Sequence, residues 1–252
     1  MEKYLLIKNR NKKIWVNYRS KKIYPIFNSI FSKKIVIDKK PLNIKDYEIL
    51  PPFVGRNAFG LAYNYKSLLP KKVVFDEPLV FIKSATSMIG NNEKIVIPGF
   101  VNKLWIEGEL AIIISKKAKN VSTSKADNYI LGYTCSNDVT AQNICGRDHH
   151  LARSKSLDTF APIGQFLVKD IDTNDLEIIS TINKKIIQKN RTSDRILNNQ
   201  ECVSLVSKFF TLMPGDIIFT GTPAFVNSPL IKKGDKVSVR IAKIGKLNNK
   251  VV

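Results

Sequence analysis

The chain has 252 residues, 44% hydrophobic and 25% charged, a balance that suits one large folded unit with room for a small extra lobe. Three cysteines without close pairing argue against a disulfide framework and for a reducing compartment. No apolar run reaches the roughly 18 residues of a membrane helix, and the start Met1-Glu-Lys-Tyr-Leu has no signal-peptide core, so the sequence reads as cytoplasmic with no membrane partner.

The formal charge of +20 raises nucleic-acid binding as a reading. The lysines are scattered in short pairs, however, such as Lys12-Lys13, Lys33-Lys34 and Lys232-Lys233, and no basic helix with interleaved aromatics accompanies them. That scatter argues against a nucleic-acid partner. A positive field would equally draw in small dianionic substrates.

From Lys3 to Pro52 the sequence predicts a small N-terminal β-lobe. Its β-type runs are Tyr4-Leu-Leu-Ile, Ile14-Trp-Val-Asn-Tyr, Lys22-Ile-Tyr-Pro-Ile and Ile35-Val-Ile-Asp, separated by charged or Asn-rich turns. Pro51-Pro52 makes a natural joint, giving 1–52 as the lobe and 53–252 as the main domain. No chemistry is evident in the lobe.

Glu77-Pro-Leu-Val-Phe-Ile-Lys then reads as a turn and a buried strand ending at Lys83. Asn91-Asn-Glu-Lys-Ile-Val-Ile-Pro is a further turn and strand. The centre of the chain opens with Leu104-Trp-Ile-Glu-Gly-Glu-Leu-Ala-Ile-Ile-Ile, whose tail from Leu110 to Ile114 is a β-rich, buried run. On a strand, Glu107 and Glu109 share one face, two steps of about 3.3 Å apart. A second run, Tyr129-Ile-Leu-Gly-Tyr-Thr-Cys-Ser-Asn, delivers Asp138 just past its end. Like charges that close repel unless a cation lies between them. Three oxygen ligands without Cys or His suit Mg²⁺, Mn²⁺ or Ca²⁺ better than zinc. An exposed Glu pair on an edge strand with an Asp in a turn would show the same spacing.

In the C-terminal third, Leu176 to Ile182 and Lys185-Ile-Ile-Gln alternate around Asn183-Lys184, a hairpin pattern. Apolar residues from Ile196 to Phe210 recur at helical intervals. Pro214-Gly-Asp turns into a strand from Ile217 to Thr220, followed by Gly221, where a small residue lets backbone approach a ligand. Lys233-Gly-Asp-Lys leads into two last strands, Val237 to Ile241 and Ile244 to Val251.

Taken together, Glu107-Gly-Glu-Leu, Asn137-Asp-Val-Thr-Ala, Arg153-Ser-Lys-Ser-Leu-Asp-Thr-Phe-Ala-Pro and Met213-Pro-Gly-Asp-Ile-Ile-Phe-Thr-Gly-Thr-Pro resemble the fumarylacetoacetate hydrolase family. Pro78-Leu-Val-Phe-Ile-Lys and Thr192-Ser-Asp fall in the family's order too, so the likeness runs from about Phe59 to the C-terminus. The resemblance implies a mainly β fold, a mixed β-sandwich roll with few helices, and a homodimer. It implies Glu107, Glu109 and Asp138 as ligands of Mg²⁺ or Mn²⁺ and Lys155 as the catalytic lysine. Lys83 and Gln142 are implied to lie near substrate, and Gly221 with Thr222 to meet its carboxylate. The implied substrate is a small 2-oxo or β-diketo acid. Reactions in the family include hydrolysis of acylpyruvates and fumarylacetoacetate, decarboxylation, tautomerisation, hydration and isomerisation.

Four departures bear on the reaction. Ala62-Tyr-Asn-Tyr-Lys-Ser-Leu aligns with the family's Gly-x-Asn-Tyr-x-x-His lid element, so Leu68 stands where hydrolytic relatives carry histidine, and Lys71 where they carry glutamate. Leucine cannot accept a proton, which favours decarboxylation or isomerisation over hydrolysis unless His149 or His150 substitutes. Gln142 and Cys145 also replace residues implied to touch substrate. A family member that binds ligand without turning it over is the competing reading.

Overall fold

A computed structural model describes residues 1–53, 56–69, 77–143 and 146–252. Ten strands form one large sheet, whose main path runs Lys22–Pro25, Lys12–Arg19, Glu2–Asn9, Leu167–Lys169, Ile130–Asn137, Gly108–Ile114, Ile217–Phe219, Ala58–Ala62 and Leu79–Lys83. The tenth, Glu48–Leu50, pairs with Glu2–Asn9. A second sheet of five strands has the order Lys185–Arg191, Glu177–Ile182, Lys236–Ile241, Gly245–Val251, Lys94–Ile95. Most pairings are antiparallel, but Ile217–Phe219 runs parallel to Ala58–Ala62, so the large sheet is mixed. The expected mainly β, sandwich-like architecture is what the chain adopts.

Gly108–Ile114 lies at the centre and is buried along its whole length, which explains its unbroken apolar sequence. Leu110 faces the second sheet, in a core with Ile178, Val239 and Ile241. Ile112, on the same face, packs with Cys202, Val203 and Val206 of the helix Asn199–Phe209. Where the two sheets approach, a Cβ on Gly108 would lie 2.1 Å from Ser180 Oγ. The glycine between Glu107 and Glu109 therefore permits the sheet contact, while Glu109 points to the opposite face.

The segment 1–52 has a small core of its own, centred on Leu5, Ile7, Val16 and Ile23. Its first strand also continues the large sheet, with Tyr4 opposite Leu167 and Glu2 opposite Lys169. Ile35 to Asp38 forms no strand, only a bridge between Ile26 and Ile37. Of the turn and strand expected over Asn91 to Pro98, the strand is only the two residues Lys94–Ile95. The hairpin of Glu177–Ile182 and Lys185–Arg191 turns at Asn183-Lys184, both with positive φ, as a tight hairpin requires. Among the described residues no helix is long and apolar enough to cross a membrane.

Candidate metal centre and active-site cleft

Two adjacent strands bring the three predicted carboxylates together. Asp138 follows directly on Ile130–Asn137, and its N–H donates to Glu107 O at 2.7 Å. Glu107 precedes Gly108–Ile114 rather than lying inside it, and its N–H donates to Asn137 Oδ1 at 3.0 Å. One oxygen from each of Glu107, Glu109 and Asp138 lies within 4.8 Å of the others. The cluster is inside the protein: Glu109 and Asp138 are buried and Glu107 half-buried.

Two lysines reach the same cluster. Lys155 Nζ donates to Glu107 Oε2 at 2.8 Å, to Asp138 Oδ2 at 2.7 Å and to Thr140 Oγ1 at 2.7 Å. Lys83 Nζ donates to Asp138 Oδ1. Lys83 is only 1% exposed at the end of its strand, so it is an internal counter-charge and not a surface cation. Lys155 closes the short helix Ala152–Lys155, and Asp148 Oδ2 tethers that helix by accepting the Ser154 N–H at 2.7 Å. The Lys155 ammonium also sits 5.1 Å from the Phe81 ring centroid. That ring occupies space only a glycine leaves, since a Cβ on Gly60 would fall 2.1 Å from it.

The charges respond to depth. Burial, with Asp138 and Glu107 beside it, pushes the Glu109 carboxyl well above the usual carboxylate range. Burial opposes ionisation of Asp138 as well, but Lys155 and Lys83 outweigh it and hold that carboxyl below its ordinary value. Burial lowers Lys83, against the pull of Asp138. For Lys155, Asp138 and Glu107 overcome the desolvation and raise its value. Three carboxylates against two ammoniums leave one excess negative charge, centred on Glu109.

The Gly221 N–H donates to Glu109 Oε2 at 2.6 Å, so the glycine meets the Glu109 carboxylate itself. Thr222 lies next to it, but its hydroxyl donates to Gly108 O at 3.0 Å and accepts from Gln188 Nε2 at 2.7 Å. Its one proton is committed inside the fold, which departs from the implied hydrogen bond to a substrate carboxylate. Gln142 is exposed and absent from the described residues that line the cleft, although Asn143 lines it. Cys145 and Lys71 lie outside the described residues.

The cluster forms the floor of a cleft of about 590 Å³. Leu68, Trp105, His149 and Lys155 all line it, whereas His150 belongs to a neighbouring depression. Three contributors escaped the sequence reading. Trp105 Nε1 donates to Glu107 Oε1 at 2.7 Å. Gln188, fully buried, accepts the Gly108 N–H at 2.9 Å and donates to Thr222 and Pro223 O, linking the two strands that frame Glu109. Ser154 lines the cleft with a buried hydroxyl that has no hydrogen-bond partner. The Trp-x-Glu spacing signals the first contact; nothing local signals the other two.

Known proteins are similar to this chain in sequence and fold. The family model described as fumarylacetoacetate (FAA) hydrolase C-terminal matches residues 53–252. A fumarylacetoacetate hydrolase domain-containing protein 2 homolog of Dictyostelium discoideum is 35% identical, over 91% of this chain and 80% of its own. A human mitochondrial oxaloacetate tautomerase is 35% identical over 70% of this chain and 59% of its own. Among solved structures, 2-hydroxyhepta-2,4-diene-1,7-dioate isomerase from Mycobacterium marinum superposes with a TM-score of 0.90 at 32% identity, covering 100% of this chain and 98% of its own. A family match that spans the whole site, with the fold shared from end to end, means that the chain belongs to the fumarylacetoacetate hydrolase family.

Proposed function

We propose that this chain is a divalent-metal-dependent enzyme that stabilises the enolate of a small 2-oxo acid, and that it moves a proton by tautomerisation or isomerisation. The observation that carries this reading is the crowding of Glu107, Glu109 and Asp138 within 4.8 Å at the floor of a cleft, with Lys155 on two of them. Such an all-oxygen set, with one excess negative charge and Glu109 resisting ionisation alone, fits Mg²⁺, Mn²⁺ or Ca²⁺. When bound, the cation supplies Lewis-acid stabilisation of the enolate oxygen.

The chain's own residues set the rest. Lys155 fixes an ammonium at the same end of the cleft, where it attracts developing oxyanion charge. Leu68 faces the cleft without a lone pair, so it cannot activate water, and this favours proton relocation over C–C hydrolysis. His149 is the imidazole among the described lining residues, and it is the group proposed to carry a proton at the rim. The named activities of similar proteins, a tautomerase and an isomerase, support the same class. The homodimer that the family resemblance implies is part of this reading, and light scattering on the eluted protein tests it.

The decisive experiment is a thermal melt with Mg²⁺ or Mn²⁺, with and without oxalate, against EDTA, followed by a tautomerisation assay on a panel of 2-oxo mono- and dicarboxylic acids. A ligand of the folded state at ~100 times its dissociation constant adds about 2.7 kcal/mol. Metal and oxalate should stabilise together, and Glu109→Gln should abolish both that response and turnover. Stabilisation without turnover of any 2-oxo acid would instead support a ligand-binding protein. No stabilisation at all would remove the metal reading.

A further inference from the structure

We propose that the substrate is a 2-oxo monocarboxylate carrying an apolar alkyl or aryl tail, not a diacid. The inference rests on the proposed metal-enolate reading and concerns the part of the cleft beyond it.

The cleft is strongly polarised. Every carboxylate and the ammonium sit at one end, on Glu107, Glu109, Asp138 and Lys155. The remaining wall is built largely from Leu61, Leu68, Leu79, Leu151, Phe225 and Leu230. Two of these are unusually open for their type, Leu79 at 44% and Leu230 at 49% exposed. Apolar side chains gathered on a concave surface, rather than scattered, mark a place where apolar ligand surface is buried.

The charge inventory points the same way. Among the described residues lining the cleft, Lys155 is the sole lysine or arginine, and its three protons already go to Glu107, Asp138 and Thr140. A second carboxylate at the far end of a diacid would lie against leucine and phenylalanine. Against the described lining it would surrender its water without gaining a cation, an unfavourable exchange. One headgroup, in contrast, is provided for. The buried Ser154 hydroxyl, next to Lys155 in the chain, lines the cleft without a partner. Buried hydroxyls are seldom left so, and this one is assigned to the ligand's carboxylate or 2-oxo oxygen.

The test pairs ligands that differ only in a terminal methyl or carboxylate: 2-oxopentanoate with 2-oxoglutarate, and 2-oxohexanoate with 2-oxoadipate. Each is titrated calorimetrically into the full chain loaded with Mn²⁺, with oxalate as the tailless control. The monoacid should bind more tightly in each pair, and its affinity should rise about fourfold per added methylene. Leu230→Arg should reverse the preference toward the diacid, and Leu79→Arg repeats the test at a second, equally open position. Ser154→Ala should weaken every ligand, oxalate included, by a similar factor.

The outcomes separate the two readings. Oxalate binding with a flat tail series, or with diacids favoured in the unmutated chain, overturns this inference alone. Diacid preference that disappears in His149→Ala overturns it too, and places the second carboxylate on that imidazole. Failure of oxalate to bind overturns the metal reading, and this inference with it.

Discussion

Gly221 holds its N–H 2.6 Å from Glu109 Oε2, joining the loop after one strand to the carboxylate on its neighbour. The glycine has φ of +92°, and a Cβ there would stand 2.9 Å from both Asn64 Cβ and Leu61 O. Only a residue without a side chain can present its amide in this way.

Gly221→Ala should therefore strain the backbone by about 1–3 kcal/mol. The strain should lower the melting temperature and blunt the Mn²⁺-dependent rise, because Glu109 loses its aim. A melt of both proteins with EDTA and with Mn²⁺ measures the two effects separately.

Glu109→Gln should act oppositely on the metal-free fold. The carboxyl is held above its unfolded value by burial and by Asp138 and Glu107, so the folded state binds its proton more tightly. Stability from this group thus falls as pH rises past the unfolded value of about 4.3, until the folded group ionises. The amide should make the metal-free protein more stable than the parent above that pH, and no different well below it. Denaturant midpoints in EDTA across pH 4 to 8 check the sign.

Gln188→Met should cost on the order of 3 kcal/mol, since it leaves Gly108 N–H and Pro223 O without their partner and removes one of the two hydrogen bonds of the Thr222 hydroxyl. Gln142→Met, at an exposed position, should stay within about 0.5 kcal/mol. Equilibrium unfolding in urea compares the pair.

Cys135 and Cys202 should resist alkylation in the native protein. Burial pushes each thiol up to about 12, so at pH 8 almost none is thiolate. Iodoacetamide labelling followed by peptide mass spectrometry should find both unmodified until denaturant is added.

The carboxylate cluster was legible because it is local. Glu107 and Glu109 are two residues apart, and Asp138 ends the neighbouring strand, so alternation alone brings them together. The helix was legible except for its start. Ile196 suggested an early beginning, yet Asn198 and Glu201 form a reciprocal cap, with Asn198 Oδ1 accepting at 2.9 Å and Glu201 Oε2 at 2.8 Å. Ile196 stays outside, 40% exposed. Lys83 could not be placed from its strand, because its partner is 55 residues away. Gln188 carries no local mark, since its partners come from Gly108 and from the turn at Thr222 and Pro223. The run from Ile35 to Asp38 has strand-like residues but pairs only through the single bridge of Ile37 to Ile26, too short to form a strand.

The opposition of Tyr4 to Leu167 also sets an order of assembly. During synthesis the first hairpin, Glu2–Asn9 with Lys12–Arg19, emerges early and can close locally. Part of its other edge, Leu6 to Lys8, takes Glu48–Leu50 once that strand emerges, but Glu2 to Tyr4 must wait for a partner about 160 residues later, a long loop closure that comes after much of the sheet's centre exists. Until then the hairpin is a waiting flap with an open edge, and the Lys8-to-Lys13 turn keeps positive charge beside it, a feature that discourages pairing with other chains. The ribosome therefore completes the strands that frame the carboxylate cluster, Gly108–Ile114 and Ile130–Asn137, before the first three paired residues of the chain can lock into place.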